Sequence, residues 1–163
     1  IRYPEDREKL LQGLRTGIIS NIGSDHAPHT AEEKSKPVFE APAGMIGVET
    51  MGPLMVDAAL RGLFPLTKVA ETLSANPAKT FGLYPRKGSL MIGADADFVI
   101  FDPRKPGKID ASKLHSKHKF TPFDGTPLAA SIRYTILRGK IISFEGELDK
   151  NPSGVWIKPV ALQ

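Results

Sequence analysis

The sequence contains no cysteine among its 163 residues. This absence excludes a disulfide framework, a zinc site with thiolate ligands and a cysteine nucleophile. Any metal ion that the protein holds must therefore be ligated by histidine and carboxylate side chains. The chain also lacks an apolar run that approaches the roughly 18–20 residues of a membrane span, so we expect no membrane association and a cytoplasmic location.

A concentrated charge of either sign is missing as well. Lysine and arginine number 22 against 18 aspartates and glutamates, which leaves a net charge of +4. The basic residues are scattered and are not interleaved with aromatic residues, so we expect no nucleic-acid partner. With 40% hydrophobic and 25% charged residues, the composition is that of a globular protein with one core or two small ones.

The first 85 residues combine helical and strand patterns, which predicts an α/β fold. Leucines at helical spacing after Pro4 predict a helix over residues 4–15, and the apolar run from Ile18 to Gly23 predicts a buried strand. Three more helices are predicted, over residues 48–61, over residues 67–74 and over a short run that Asn76 caps. In the first of these three, Glu49 is interpreted as a first-turn acid that interacts with the helix dipole.

From residue 86 onward the pattern changes to strands separated by glycine and proline. Phe98 to Phe101 reads as a strand, and residues 131–137 and 140–144 read as a hairpin around Arg138-Gly139. Residues 103–128 contain four prolines and are predicted to form an extended loop. The second half is therefore expected to be mostly β.

The residues with the clearest chemistry directly follow the predicted strand. Asp25 stands where an α/β barrel builds its active site, and a carboxylate there can ligate a divalent metal or accept a proton. His26 and His29 are close enough in sequence to add a ligand or a hydrogen-bond donor. An equally acceptable reading is that Asp25 caps a turn and that both histidines are surface loop residues, because this spacing is not specific to a metal site.

Taken as a string, residues 23–34 (GSDHAPHTAEEK) closely resemble the last catalytic strand and loop of dihydroorotases in the cyclic amidohydrolase superfamily. The resemblance continues through five further segments, namely residues 41–50, 76–79, 93–98, 119–125 and 138–140. It covers almost the whole chain. Hydantoinases, dihydropyrimidinases and allantoinases share the type of segment found at residues 82–88, so the resemblance is stronger for the superfamily than for the substrate.

The resemblance implies roles for four residues. Asp25 matches the aspartate that binds the metal centre and moves the proton between the attacking water and the ring amide nitrogen. His29 matches the histidine that holds the substrate carboxylate, and the backbone at Ala43 and Gly44 matches the loop that contacts the ring. Zinc is the implied cofactor, as one or two ions, and Asp25 is the one metal ligand expected in this chain.

The resemblance also implies a division of the chain. Residues 1–85 would be the closing part of a (β/α)8 metal-dependent hydrolase barrel, and residues 86–163 a small β-sandwich domain with a C-terminal tail. Because the sequence begins at Ile1 with what reads as mid-domain sequence, we expect a fragment whose partner is the N-terminal remainder of the same protein. The other metal ligands are expected in that remainder, and the intact protein is expected to be a homo-oligomer.

The implied reaction is hydrolysis of a cyclic amide, with dihydroorotate and N-carbamoyl-aspartate, the pair interconverted in pyrimidine biosynthesis, as the first choice of substrate and product. Within the same class, the alternatives are a hydantoinase or dihydropyrimidinase and an allantoinase. From another class, the alternative is a metal-free homologue kept as a structural subunit. His29 favours an anionic substrate and argues mildly against a hydantoinase.

Overall fold

The structure, a computed structural model, describes residues 3–159 and contains a helical part followed by a β part. The helical part consists of α1 (Pro4–Thr16), α2 (Ala31–Lys34), α3 (Val48–Leu60), α4 (Leu66–Ala70), a π-helical turn (Glu71–Ala75) and α5 (Asn76–Thr80). The β part consists of β1 (Phe98–Asp102), β2 (Gly107–Lys108), a 3₁₀ turn (Ala111–Lys113), β3 (Pro127–Leu128), β4 (Ser131–Leu137), β5 (Lys140–Phe144) and β6 (Glu147–Leu148). Over the described range, no helix is long and apolar enough to cross a membrane.

Helix α1 is confirmed within one residue of its predicted end. Pro4 occupies the first helical position, where its missing N–H costs no hydrogen bond, and the Tyr3 amide donates to the Asp6 carboxylate at 3.2 Å. The helix ends at Gly17, whose φ of 82° is the left-handed conformation common after a helix C-terminus. Leu14 is buried on the inner face.

The buried strand predicted over residues 18–23 is wrong for this chain. None of these residues belongs to a strand among those the structure describes, and Ile18 is 84% exposed. A strand needs a neighbouring strand to pair its amides and carbonyls, and the described part of the chain places none beside the segment. Instead, the Ile22 amide donates to the carbonyl of Thr72 in the π-helical turn at 3.2 Å.

The remaining helices follow the predicted order with one change of detail. Helix α3 agrees with its predicted range to one residue, and the next predicted helix starts as α4 and continues as the π-helical turn. Asn76 is not an N-cap, because it lies inside continuous helical backbone with φ −70° and ψ −44°. Its side-chain amide donates to the carbonyl of Ser20 at 3.0 Å, which connects α5 to the segment that precedes Asp25.

The main sheet has four antiparallel strands in the order β1-β4-β5-β6. The predicted hairpin is confirmed: β4 and β5 are joined at Arg138 and Gly139, which both have positive φ, as a two-residue type I′ turn requires. Glu145 and Gly146 form a second turn of this kind between β5 and β6.

The segment 103–128 contains more regular structure than predicted. Strands β2 and β3 pair as a second, two-stranded antiparallel sheet, with Gly107 opposite Leu128. Around them, Ile109, Ala111, Leu128 and Ala130 are buried. Sheets of four and two strands are what the described residues form, and a complete β-sandwich stays a prediction.

Side chains of α3 and the turn after it connect the two parts. The Asp57 carboxylate accepts the Ala129 amide at 2.7 Å and the Arg61 guanidinium at 2.7 Å, and Arg61 also donates to the carbonyl of Pro127 at 3.3 Å. The Arg61 hydrogen bond, outweighing partial burial, and the Ala129 amide hold the pKa of Asp57 below its usual value. A domain boundary at residue 85 stays a prediction.

Candidate active site

Asp25 lies at the edge of a small cavity. The cavity measures about 330 Å³ and is lined by Ser24, Asp25, Gly44 and Met45. Asp25 has a φ of 44°, in the left-handed region that few residues other than glycine, asparagine and aspartate adopt. Such a conformation persists only where the surrounding structure enforces it, and it is found preferentially at functional sites.

The two loops that line this cavity contact each other. The Ala27 amide donates to the Met45 carbonyl at 2.9 Å, next to an isolated parallel bridge between His26 and Met45. Glycines make this approach possible: a Cβ on Gly44 would lie 2.6 Å from the Ala27 Cβ, and one on Gly47 would lie 2.7 Å from the Ser24 carbonyl oxygen. Residues 24–27 and 44–47 are thus one packed unit.

His26 connects this unit to α3. Its Nδ1 accepts the backbone amides of Gly47 at 3.1 Å and Val48 at 3.3 Å. These amides stand at the helix N-terminus, where α3 itself supplies no acceptor for them. His26 therefore acts as a side-chain cap on α3.

His29 lies just before the one-turn helix α2. Thr30 and Glu33 form a capping box, in which the Glu33 amide donates to the Thr30 hydroxyl at 3.0 Å and the Thr30 amide donates to the Glu33 carboxylate at 2.8 Å. The same carboxylate lies 3.6 Å from Nδ1 of His29. The Thr30 amide, with further contributions from the Thr30 hydroxyl and His29, holds the pKa of Glu33 below its usual value, so Glu33 is anionic at neutral pH beside the imidazole.

Lys34, at the end of α2, fixes the loop that carries Ala43 and Gly44. Its Nζ donates to the carbonyls of Pro42 and Gly44, both at 2.9 Å. These two carbonyls flank the Ala43 residue that the sequence resemblance identifies as a ring contact. Lys34 thereby holds the backbone on both sides of it.

Of the four predicted site residues, the structure brings Asp25 and Gly44 to the same cavity. Ala43 adjoins Gly44 in the chain, and His29 is not among the lining residues. Sequence reasoning missed helix α2, although the pattern of Thr30 followed three residues later by Glu33 is a recognisable helix-start signal. Nothing in the local sequence indicated the contacts of His26 and Lys34, because both depend on residues 8 to 22 positions away.

Glu49 is confirmed as a first-turn acid of α3, and it has a second role. Its carboxylate accepts the amides of His115 at 2.9 Å and Ser116 at 3.1 Å and lies 2.8 Å from Nδ1 of His115. Partial burial raises the pKa of Glu49, but these hydrogen bonds outweigh burial and leave the pKa below its usual value. Glu49 therefore connects the helical part to the long loop of the β part.

In the part of the chain that the structure describes, the cavity contains one residue that could ligate a metal ion, but not a complete set of ligands. A carboxylate is an oxygen ligand of the kind that zinc accepts, and Asp25 is one of the residues that line the cavity. Within residues 3–159, however, no group of three or more histidine, aspartate or glutamate side chains lies close enough to hold a metal ion. Among these residues, Asp25 is thus the one candidate ligand that lines this cavity.

Comparison with known proteins identifies the family. Residues 2–142 match the Amidohydrolase family. The chain belongs to the amidohydrolase family. This assignment agrees with the superfamily indicated by the sequence motifs.

The similar amidohydrolases include dihydroorotases and a hydantoinase. A dihydroorotase of Methanosarcina acetivorans is 44% identical over 153 residues, which cover 93% of this chain and 32% of that protein. An L-hydantoinase of Paenarthrobacter aurescens is 38% identical over 152 residues, which cover 91% of this chain and 33% of that protein. The chain therefore spans about a third of the length of the curated relatives it matches.

Solved structures give the same fold. The D-hydantoinase from Thermus sp. superimposes with a TM-score of 0.85 at 28% identity, over 91% of this chain and 33% of that one. The L-hydantoinase from Arthrobacter aurescens superimposes with a TM-score of 0.84 at 38% identity, over 89% of this chain and 33% of that one. The chain thus has the amidohydrolase fold seen in the matched third of these hydantoinases.

Proposed function

We propose that this chain is part of a metal-dependent cyclic amidohydrolase that interconverts dihydroorotate and N-carbamoyl-aspartate. By the intact protein we mean the longer protein that would contain this chain together with the rest of the barrel. The observation that carries the proposal is Asp25 at the edge of its cavity, in a chain of which 93% is covered by a match to a dihydroorotase.

Asp25 would act as the proton carrier of the reaction. Its carboxylate accepts a proton from the attacking water and then delivers it to the ring amide nitrogen as the ring C–N bond breaks. Both transfers require the carboxylate to stay near the reacting atoms, and the left-handed backbone of Asp25 limits the directions in which its side chain can point. In the opposite direction the same group removes the proton from the carbamoyl nitrogen and returns it to the departing water.

His29 would recognise the carboxylate of dihydroorotate. Glu33 lies on its Nδ1 side, so the substrate carboxylate would be bound from the Nε2 side, where the protonated imidazole donates a hydrogen bond. Lys34 would set the backbone around Ala43 and Gly44 against the ring, through the two carbonyls that it holds. In this proposal, His29 and the backbone at Ala43 and Gly44 bind the substrate, and none of them takes part in breaking the ring C–N bond.

Asp25 would also be a metal ligand, with zinc as the expected ion. Bound there, zinc would polarise the scissile carbonyl and lower the pKa of water, which is the chemistry that amide hydrolysis at neutral pH needs. The other ligands would come from the N-terminal remainder of the intact protein. The same remainder would complete the (β/α)8 barrel and, with residues 86–163, the β domain.

Hydantoinase activity is the second candidate, because an L-hydantoinase is 38% identical over 91% of the chain and both solved structures compared with it are hydantoinases. The substrates differ in charge: dihydroorotate carries a carboxylate, whereas hydantoin and dihydrouracil do not. The match of His29 to the histidine that holds the substrate carboxylate in dihydroorotases favours the charged substrate.

The test compares dihydroorotate, hydantoin and dihydrouracil as substrates of the metal-loaded intact protein. We expect kcat/KM for dihydroorotate to exceed the other two by at least about tenfold, which corresponds to about 1.4 kcal/mol of discrimination. A preference for hydantoin or dihydrouracil would replace the proposal by the second candidate. Absence of hydrolysis of all three would overturn both.

A further inference from the structure

The conformation of Asp25 is enforced from both sides. On its N-terminal side, the Ser24 carbonyl packs closely on Gly47. A Cβ added to Gly47 would lie 2.7 Å from the Ser24 carbonyl oxygen. On its C-terminal side, Nδ1 of His26 accepts the Gly47 and Val48 amides, and the Ala27 amide donates to Met45. A left-handed aspartate between two such contacts has little freedom to relax.

We propose that His26 is a positioning residue for Asp25, holding the Asp25 carboxylate at the cavity by accepting, at Nδ1, the amides of Gly47 and Val48 at the N-terminus of α3. An imidazole that accepts at Nδ1 in its neutral form carries its proton on Nε2. The property of His26 that matters for this role is therefore a hydrogen-bond acceptor at the position of Nδ1. It is not proposed to touch the substrate or to ligate the metal.

This role predicts which replacements succeed. The side-chain oxygen of asparagine lies close to the position of a histidine Nδ1, whereas that of glutamine lies close to the position of Nε2. His26→Asn retains an acceptor for the Gly47 and Val48 amides, and His26→Gln and His26→Ala do not. The inference rests on the proposed function, since it takes Asp25 to be a metal ligand.

The experiment measures two quantities in the intact protein for each variant. The first is hydrogen exchange of the Gly47 and Val48 amides, read from peptides that span residues 45–50. The second is zinc affinity, measured by competition with a chelator. Neither needs turnover, so failure of the inference can be told apart from failure of the proposed reaction.

We expect His26→Asn to match the wild-type protein in both quantities. In His26→Gln and His26→Ala, exchange should be faster and zinc affinity should fall by roughly 10- to 100-fold, the range found when a group that orients a metal ligand is removed. Equal behaviour of the asparagine and glutamine variants would overturn the inference, whether both resemble the wild type or both lose affinity. So would wild-type zinc affinity in the alanine variant.

A second pair of variants tests the same unit without changing His26. Gly47→Ala would drive a Cβ toward the Ser24 carbonyl, whereas Gly52→Ala, inside α3, adds a Cβ that meets nothing within 4 Å beyond its chain neighbours and the backbone of its own helix. Gly47→Ala should lower zinc affinity, and Gly52→Ala should leave it unchanged. If the two glycine variants bind zinc equally well, the packing of residues 24–27 on the α3 N-terminus does not position Asp25.

Discussion

At the scale of single residues, the backbone of Asp25 determines how its role should be tested. With φ at 44°, alanine would add backbone strain to the loss of the carboxylate, whereas asparagine tolerates this region. We expect Asp25→Asn to lower kcat of the intact protein by about 10²- to 10⁴-fold, the usual contribution of a general base, and to lower its zinc content. Steady-state kinetics and metal analysis give the measurement.

Glu32 offers a matched control for this variant. It is an exposed acid on α2, a few residues from Asp25, and its side chain has no hydrogen-bonded partner among the described residues. Glu32→Gln should leave both kcat and zinc content unchanged. Near-normal turnover of Asp25→Asn in the zinc-loaded protein would remove Asp25 from the catalytic machinery.

His29 is expected to discriminate between charged and uncharged substrates. A hydrogen bond to a charged group contributes roughly 1.5–3 kcal/mol, so His29→Ala should raise KM for dihydroorotate by about 10- to 150-fold. The same variant should change KM for hydantoin, which has no carboxylate, by much less. His118→Ala, which removes a histidine from the long loop of the β part, serves as the control. Equal losses on both substrates would show that His29 does not read the carboxylate.

The residues of the candidate site were accessible to sequence reasoning to different degrees. Asp25 could be singled out because it follows an apolar run at a position where α/β folds place catalytic groups. His26 and Lys34 could not be given a role, because their partners at residues 42–48 are brought near only by folding. The roles proposed for His29, Ala43 and Gly44 come from the family resemblance and stay predictions.

At the scale of elements, Glu49 connects α3 to the loop at His115 and Ser116 with a set of charge-assisted hydrogen bonds. The Glu49 side chain is 30% exposed, so water weakens these bonds, and we expect about 1.5 kcal/mol for the set. In the intact protein, Glu49→Gln should therefore speed hydrogen exchange of the His115 and Ser116 amides about tenfold at pH 7.

The effect of Glu49→Gln should depend on pH in a defined direction. Because the pKa of Glu49 is lower in the folded protein than its unperturbed value of 4.5, the ionised carboxylate stabilises this contact above that pH. The contribution is lost as the pH falls through the lowered pKa, so variant and wild type should converge there. Glu5→Gln, at the equivalent first-turn position of α1, should leave exchange at residues 113–118 unchanged. A difference that persists at the same size below the pKa would contradict the assignment.

Local signals predicted some elements well and others poorly. The hairpin of β4 and β5 was predictable because its turn residues, Arg138 and Gly139, and its alternating strands are all local. The strand expected over residues 18–23 failed for the opposite reason, since a strand exists only with a partner. The short pairing of β2 with β3 was missed because it joins segments about 20 residues apart across a proline-containing loop.

At the scale of the whole molecule, the 163-residue chain alone should be inactive and should bind no stoichiometric zinc. A catalytic zinc takes about three protein ligands, and the described part of the chain supplies Asp25 as its one candidate at the cavity. The chain also leaves large apolar side chains uncovered, with Ile92 and Phe39 fully exposed and Trp156 79% exposed. In addition, β1 and β6 are the outer strands of the described sheet, each with one unpaired edge.

The isolated chain and the intact protein should therefore be compared directly. Metal analysis, dihydroorotate hydrolysis and light scattering at increasing concentration give the readouts, and we expect the isolated chain to aggregate. Tight zinc binding together with full activity in a monomeric isolated chain would show that these 163 residues suffice for the reaction.

The π-helical turn at residues 71–75 makes chain length more critical than side-chain identity in this part of the protein. Its wide backbone leaves the Thr72 carbonyl to accept the Ile22 amide, and the Asn76 side chain just beyond it reaches Ser20. Deleting one residue from this turn would return it to α geometry, in which the helix amide four residues further on competes for the Thr72 carbonyl. The Ile22 amide would then lose its acceptor, and the segment before Asp25 would lose one of its two connections to this helix. Insertions and deletions here should therefore be far more damaging than substitutions.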